Sequence, residues 1–442
     1  MGIKRYINRL IVLIIFTISY ATMGIIDVPM IGLLIIPTYL ICLTLVTPET
    51  LVCLFIGLMF FTYPYVNAGI ALVLFLIIII RNQKVRLGNS KIMICIYILI
   101  FWEVICALVS ENPAASINEF ITWSYIILLY LICINVNIEH SKNRVLKSFV
   151  YGGTVLSVLY FVNFIIPNAN ILMTNSNIVR LPGTNYSAII MTALLPIIYY
   201  LKTEKYLNRM MGIFLEILYI LGILSTGSRG AISILGIYYL AIFIMQGIVW
   251  KRISTKVFLT GIVVVASISV IIITVPSIQA ILMTLNSVFS IDNYSNIVRI
   301  NLYEDIFERI LPHNYICGIG PGNFQSVYFI NASISFDANH AHSLYLQYLV
   351  EEGFVGLGLL LCLLFIAFKK IGKSIKRKAT ITWAVRWILV GYMVYGTVEY
   401  VWGDSRSLGL LIIMLIICER NNLYHVEIDV HNKQSANCKK CC

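Results

Sequence analysis

Charge is scarce in this chain. Only 12% of its 442 residues are Asp, Glu, Lys or Arg, against 60% hydrophobic residues. That balance excludes a water-soluble globular domain, in which charged residues make up about a quarter. It equally excludes a disordered chain, which needs high charge and few apolar residues. Groups that titrate near neutrality are scarcer still, with six histidines in all. Of eleven cysteines only Cys317 falls in a probable outer loop, so no outer disulfide framework exists. The tail NCKKCC offers three sulfurs (Cys438, Cys441, Cys442) without a nearby partner and is not read as a metal site. No tandem repeat or low-complexity tract is present.

What is present is a succession of apolar runs. A bilayer span takes roughly 20 apolar residues. The runs place spans at roughly 10–26, 29–46, 50–63, 65–80, 92–110, 117–136, 147–166, 185–201, 210–225, 230–247, 257–275, 342–367, 381–401 and 406–418. Short spans and the prolines Pro37 and Pro196 leave the count at about 12–14. The first run is read as an uncleaved span, because its charged start lacks a small-residue cleavage site. The organisation is a helical membrane region over 1–276, a long outer loop over 277–341, further spans over 342–418 and a tail over 419–442.

The net charge of +12 invites a nucleic-acid reading, but its distribution argues against one. With the N-terminus in the cytoplasm, alternate loops are basic: Lys4, Arg5 and Arg9; Arg81, Lys84, Arg86 and Lys91; Lys142, Arg144 and Lys147; Lys202, Lys205 and Arg209; Lys251, Arg252 and Lys256; and Lys369 to Lys378. This is the positive-inside pattern, with both termini cytoplasmic. The basic excess reports topology and membrane lipid, with no nucleic-acid partner. On the outer side stand Arg180, Arg229, Arg299, Arg309 and Arg406, and no lysine. Outer arginines need anionic company, and guanidinium suits bidentate phosphate recognition.

The outer loop between Val275 and His342 is by far the longest, about 65 residues, and long ordered loops are usually functional. Within it NIVRINLYEDIFERIL carries Ile300, Tyr303, Phe307 and Ile310 at helical spacing and ends at Pro312. CGIGPGNFQ then supplies Gly318, Gly320 and Gly322. Such a turn can cradle phosphate, yet no strand–turn–helix context surrounds it, and a structural turn is the favoured reading. Next comes NHAHSLYLQYLVEEGFVG. Read as the start of a helix, His342 shares a face with Tyr345, Leu349, Gly353 and Gly356, where glycines admit a close neighbour. That face gives His342 a packed setting and leaves His340 as a neighbour that shapes it; Ser343 serves as a cap or second polar group. Arg229 lies among small residues in STGSRGA, open to a ligand. Glu103 and Glu216 fall inside spans, where charge is costly; they are read as protonated, paired or lining a path. Glu304, Asp305 and Glu308 read as the solvated face of a helix, not as metal ligands.

At this point the residues resemble a known family. His342-Ser343, nine residues on Gly353 and two further Gly356 are similar to the histidine motif of the O-antigen ligase and O-antigen polymerase superfamily. The SRGA stretch at Ser228, the stretch RINLYEDIFERILPHNYICGIGPGNF and the stretch RLPGTNYSA resemble its outer elements in order, across about residues 180–400. The resemblance implies an all-α polytopic membrane protein of GT-C-like glycosyltransferase architecture. It implies a metal-independent transferase without cofactor whose donor is an undecaprenyl-pyrophosphate-linked oligosaccharide. Arg229 and Arg299 would bind the pyrophosphate, with Arg180 a weaker third. His342 would orient or deprotonate the acceptor, and Ser228, His340, Ser343, Gly320 and Gly322 would line the substrate site. The family often has Asn where this chain has Ser343, which weakens any role for an amide there. A polysaccharide chain-length regulator is an implied partner.

Both family activities attack the anomeric carbon and expel the lipid carrier. A polymerase uses another lipid-linked unit as acceptor, a ligase lipid A-core or another envelope acceptor; the reading leans to polymerase. A lipid-linked oligosaccharide flippase is the alternative from another class, with Glu103 and Glu216 as its candidate midplane charges. The charge pattern yields a topological prediction. A cysteine introduced at position 285 reacts with an impermeant thiol reagent in intact spheroplasts, and one at position 374 does not; equal labelling overturns the orientation.

Overall fold

The computed structural model describes residues 47–62, 64–82, 85–88, 90–136, 138–166, 182–244, 294–331, 338–371 and 381–420. The expected spans at 10–26, 29–46 and 257–275, the cysteine tail and Arg180 lie outside the described residues. Among the described residues no strand occurs. The helices are α1 (Pro48–Leu58), α2 (Pro64–Asn82), α3 (Lys91–Val109), α4 (Ile117–Asn135), α5 (Ile138–Ile165), α6 (Thr184–Thr203), α7 (Arg209–Ser225) and α8 (Arg229–Ile244). Then follow α9 (Tyr294–Asp305), α10 (Phe324–Asn331), α11 (Leu344–Lys370), α12 (Ile381–Tyr395) and α13 (405–420). This is an all-α membrane protein. Five of its helical stretches are long and apolar enough to cross a bilayer: Lys91–Val109, Pro113–Asn135, Ser141–Ile165, Thr184–Thr203 and Leu344–Lys370.

Helix α6 is the centre of the bundle. Nearly every side chain from Ser187 to Leu201 is buried, and the small residues Ser187, Ala188, Thr192 and Ala193 let neighbours close in. Pro196, expected to interrupt a span, sits inside a continuous α6. Around the bundle, Ile80, Phe101, Leu108 and Phe365 are exposed, as lipid-facing side chains are. The polar groups within it are paired. Lys202 on α6 donates to both carboxylate oxygens of Glu216 on α7 at 2.6 Å. The carboxyl groups of Glu103 on α3 and Glu352 on α11 hydrogen-bond to each other.

Arg406, read from sequence as an outer-face arginine without a motif, is buried at the start of α13. It makes a two-pronged ion pair with Asp404, Nε to Oδ1 at 2.9 Å and Nη2 to Oδ2 at 2.5 Å, and donates to the Thr62 carbonyl at 3.2 Å. It is a structural cross-link between α13 and the end of α1, so it is not an inert surface residue.

The outer segment departs from its expected register. Leu302, Ile306 and Ile310 are buried, while Ile300 and Phe307 are exposed. Beyond Asp305, α9 continues as one π-helical turn over Ile306–Ile310. These side chains pack with Phe324 and Tyr328 of α10 and with Leu346, Leu349 and Val350 of α11 in a second apolar core.

That core seats on a break in α11. Gly353 takes φ 69° and ψ −169°, a conformation open essentially to glycine alone. The broken turn leaves carbonyls without helical partners, and the outer segment supplies their donors. Ile319 N–H reaches Val350 O at 2.9 Å, Gly320 N–H reaches Glu351 O at 2.8 Å, and Phe354 N–H reaches Tyr315 O at 2.8 Å. Trp102 of α3 donates to Glu352 O at 3.0 Å. The glycine therefore admits the backbone of Ile316, not a neighbouring helix, and a Cβ there would collide with the Ile316 carbonyl. Gly353→Ala should destabilise the purified protein by at least about 1–3 kcal/mol in denaturant titration, the scale of one such strained residue. Gly358→Ala, whose Cβ meets nothing within 4 Å, should be neutral or mildly stabilising.

Candidate functional site

The site forms where α6, α8, α12 and the outer helix α9 meet. Three turns create it. The first is TGS before α8, in which Gly227 has φ 67° and Thr226 Oγ1 accepts the Ser228 N–H at 3.2 Å. The second is the histidine turn before α11. The third is the irregular segment Gly396 to Gly403, which follows α12 where a continuous span to 401 was expected. Helix α11 begins at Leu344, not at His342. Ser343 is its cap, its hydroxyl oxygen accepting the Leu346 N–H at 3.3 Å, while Leu344 N–H docks on Gly396 O at 2.7 Å. Ser343 thus joins the second and third turns.

A cavity of about 380 Å³ opens between these elements, within the size range of ligand sites. Its walls include Asn185, Ser228, Arg229, Arg299, Tyr395 and Glu399. Arg229 is the first residue of α8 and Arg299 projects from α9, and each feels the other's charge. Two guanidinium groups and one carboxylate leave the cavity with an excess of positive charge. A hydrogen-bonded chain lines one wall. The hydroxyls of Ser228 and Tyr395 lie 2.5 Å apart, Tyr395 reaches the Asn185 carbonyl at 3.3 Å, and Asn185 Nδ2 donates to Glu399 Oε2 at 2.5 Å.

Glu399 connects the cavity to the histidines. It is almost wholly buried, and its Oε1 lies 3.3 Å from His340 Nε2 and 3.4 Å from His342 Nδ1. The two rings are edge to face with centroids 4.5 Å apart. Burial alone would raise the Glu399 carboxyl, but close contact with His342 and the charges of His340 and Arg299 outweigh it and hold it below the usual range. Burial pushes His340 down, against the pull of Glu399, and so favours its neutral ring. His342 occupies φ 49°, a left-handed conformation that costs a non-glycine residue about 1–3 kcal/mol and marks functional positions. Gln347 helps to hold it, since its Oε1 accepts the N–H of Ala341, between the histidines, at 2.7 Å.

The sequence reading is corrected at several points. His342 stands above no helical face, and His340 is not merely its neighbour, because neither ring lies in α11 and both face one carboxylate. Gly320 and Gly322 lie away from the cavity. Their positive φ values shape the turn that caps the broken α11, and a Cβ on either would meet Ser110 or Ala115. Ser228, Arg229 and Arg299 do come together. Arg309 pairs at 3.3 Å with Asp305, which is buried in the outer segment and does not belong to the solvated helix face expected from sequence. Glu399 and Asn185 went unrecognised, although an acidic residue near the outer end of an apolar run was a legible signal for the first.

Residues 214–361, from α7 into α11, match the family described as O-antigen ligase. The match supports the O-antigen ligase and polymerase superfamily, whose members are glycosyltransferase-like enzymes. It contains both arginines and both histidines, while Asn185 and Glu399 lie outside it. No curated protein matches the chain. Inorganic pyrophosphate should bind the purified protein, and Arg229→Ala or Arg299→Ala should weaken that binding about 10–100-fold, the scale of a lost charge-assisted hydrogen bond. Arg309→Ala should leave it unchanged in the same titration.

Proposed function

We propose that this chain, which carries an O-antigen ligase domain over residues 214–361, is a membrane glycosyltransferase that joins undecaprenyl-pyrophosphate-linked repeat units into surface polysaccharide, O-antigen or capsule. The reaction takes place at the outer face of the bacterial plasma membrane. The observation that carries this reading is the shared position of Glu399, which lines the arginine cavity on one side and faces two histidines on the other.

In this mechanism Arg229 and Arg299 hold the donor diphosphate, with Arg180 the third cation expected from sequence. They stabilise the negative charge that grows on the diphosphate as the anomeric carbon–oxygen bond breaks. Glu399 faces Nδ1 of His342 and so favours the tautomer with the proton on that nitrogen. The Nε2 lone pair is then free to take the acceptor hydroxyl proton as the new glycosidic bond forms. The departing electron pair stays on the diphosphate oxygen. Two guanidiniums take the place of a divalent ion, so transfer proceeds without metal.

Below the polar cavity the same three helices, α6, α8 and α12, border a narrow apolar cleft walled by Ile189, Pro196, Ile234, Ile237, Gly391 and Val394. A diphosphate seated on the arginines can lay its polyprenyl chain into this cleft, with Ile237 and Val394 exposed at its mouth. The flippase alternative loses Glu216 as a free charge, since it is paired with Lys202.

Incubating purified protein with a synthetic lipid-pyrophosphate oligosaccharide tests the reading. Longer glycans on the carrier support polymerase activity, transfer to lipid A-core makes the chain a ligase, and absence of transfer with both acceptors overturns the enzyme. His342→Ala should lose roughly 10²–10⁴-fold in turnover, the usual worth of a general base. Glu399→Gln should lose a comparable factor with little change in donor KM, and His340→Ala should lose less. Arg229→Lys should lose most activity although charge is kept, because bidentate geometry is lost. Near-normal turnover in His342→Ala removes the base from His342.

A further inference from the structure

The spacing of the histidine–glutamate group has a second chemical meaning. His340, His342 and Glu399 each offer one ligand atom, and these three atoms lie within 4.8 Å of one another. The two nitrogen–oxygen separations are 3.3 and 3.4 Å. A charge-assisted hydrogen bond is shorter, about 2.7–2.9 Å. Adjacent ligands of a tetrahedral zinc ion, with bonds of about 2.0–2.1 Å, stand about 3.3–3.4 Å apart. Both separations match that tetrahedral edge. The Nδ1 atoms of both histidines are buried and make no short hydrogen bond, so His342 Nδ1, which Glu399 faces at 3.4 Å, is available to an ion.

The surroundings are those of a built ligand set. Asn185 holds Glu399 Oε2 at 2.5 Å and the Tyr400 N–H approaches Oε1 at 3.2 Å, so the carboxylate is oriented by partners that do not compete for the metal. Glu399 is about 3% exposed, whereas the imidazoles are 21% and 25% exposed, which leaves the outward side open to an ion and a fourth ligand. Two imidazoles and a carboxylate with one open position suit zinc and its neighbours and not magnesium, which prefers oxygen.

We infer that His340, His342 and Glu399 form an inhibitory site for a zinc-class divalent ion. The inhibition, though not the site, rests on the reading of His342 as the base. Zinc takes the lone pair of His342 Nδ1 once the proton formerly there has passed through solvent to Nε2. The ring then carries its one proton on Nε2, the atom that must be bare to accept the acceptor proton. Metal binding and base catalysis demand opposite tautomers of one ring and exclude each other. Zinc also occupies Glu399, the group that orients the catalytic tautomer.

Cobalt(II) reports on the site without any need for turnover. The probe is added to the full chain carrying Cys438→Ser, Cys441→Ser and Cys442→Ser, which removes the sulfurs of the tail. One equivalent of Co²⁺ should give the visible band of a tetrahedral ion, and Zn²⁺ should erase it. Glu399→Gln, which keeps the side chain's shape, and His340→Ala should each abolish the band, and Asn185→Leu should weaken binding about 10–100-fold. In the transfer assay one equivalent of Zn²⁺ should stop product formation and a chelator should restore it. No band, or a band that survives both ligand substitutions, overturns the site. Full or increased activity of the zinc-loaded protein overturns the inhibition. If the metal-free protein transfers no sugar, the functional reading fails while the cobalt titration still decides the site.

Discussion

A buried carboxylate with several claimants is the interaction on which the outer half of this molecule depends. Glu399 is anchored by Asn185 at the start of α6 and faces both histidines of the turn before α11. It also lines the cavity that Arg229 and Arg299 share. A charge removed from water must be compensated from every side, and each compensating group comes from a different element. Meeting that requirement fixes the relative positions of α6, α11, α12 and α9 at the membrane surface. The positive cavity and the histidine pair are thereby held side by side, as a reaction between a bound anion and a nucleophile requires.

The break at Gly353 performs a related task one level deeper. An intact α11 would satisfy its own carbonyls and offer the outer segment nothing to bond. The interrupted turn exposes Val350 O and Glu351 O, which take the N–H groups of Ile319 and Gly320. Glu351 adds a side-chain contact, its Oε1 accepting the Phe324 N–H at 3.0 Å. The segment that carries Arg299 is thus tied by backbone hydrogen bonds to the helix that follows the histidines. Gln347 lies one turn before Glu351 on the same helix and holds Ala341. One face of α11 therefore positions both the outer segment and the histidine turn.

The remaining polar groups in the bundle follow the economy expected in lipid, where an unpaired charge is costly. Lys202 neutralises Glu216, Asp404 neutralises Arg406, and Ser90 donates to Glu419 at 2.5 Å. None of these residues lines the arginine cavity. They explain why charged residues inside apolar runs were poor guides to function here.

Composition, apolar run length and loop charge by themselves determined that this is a helical membrane protein, because lipid forces every spanning backbone to satisfy itself internally and the rule leaves a long, local imprint. They also marked the longest loop and the two arginines that meet in the cavity, since arginines in loops without lysine stand out against the lysine-bearing alternate loops. The histidine pair was legible as rare, but its geometry was not. A 100° periodicity placed His342 on a helical face, whereas its left-handed backbone sets it before the helix begins. Gly320 and Gly322, read from the residues as a structural turn and from the resemblance as substrate-lining, shape the turn that docks on the broken helix, where Gly320 N–H reaches Glu351 O. Glu399 lies 57 residues beyond His342 and Asn185 a further 214 residues away from Glu399 along the chain. Only the tertiary structure could unite them, because the energy of a buried carboxylate depends on which groups surround it in space, and no local pattern of residues records that.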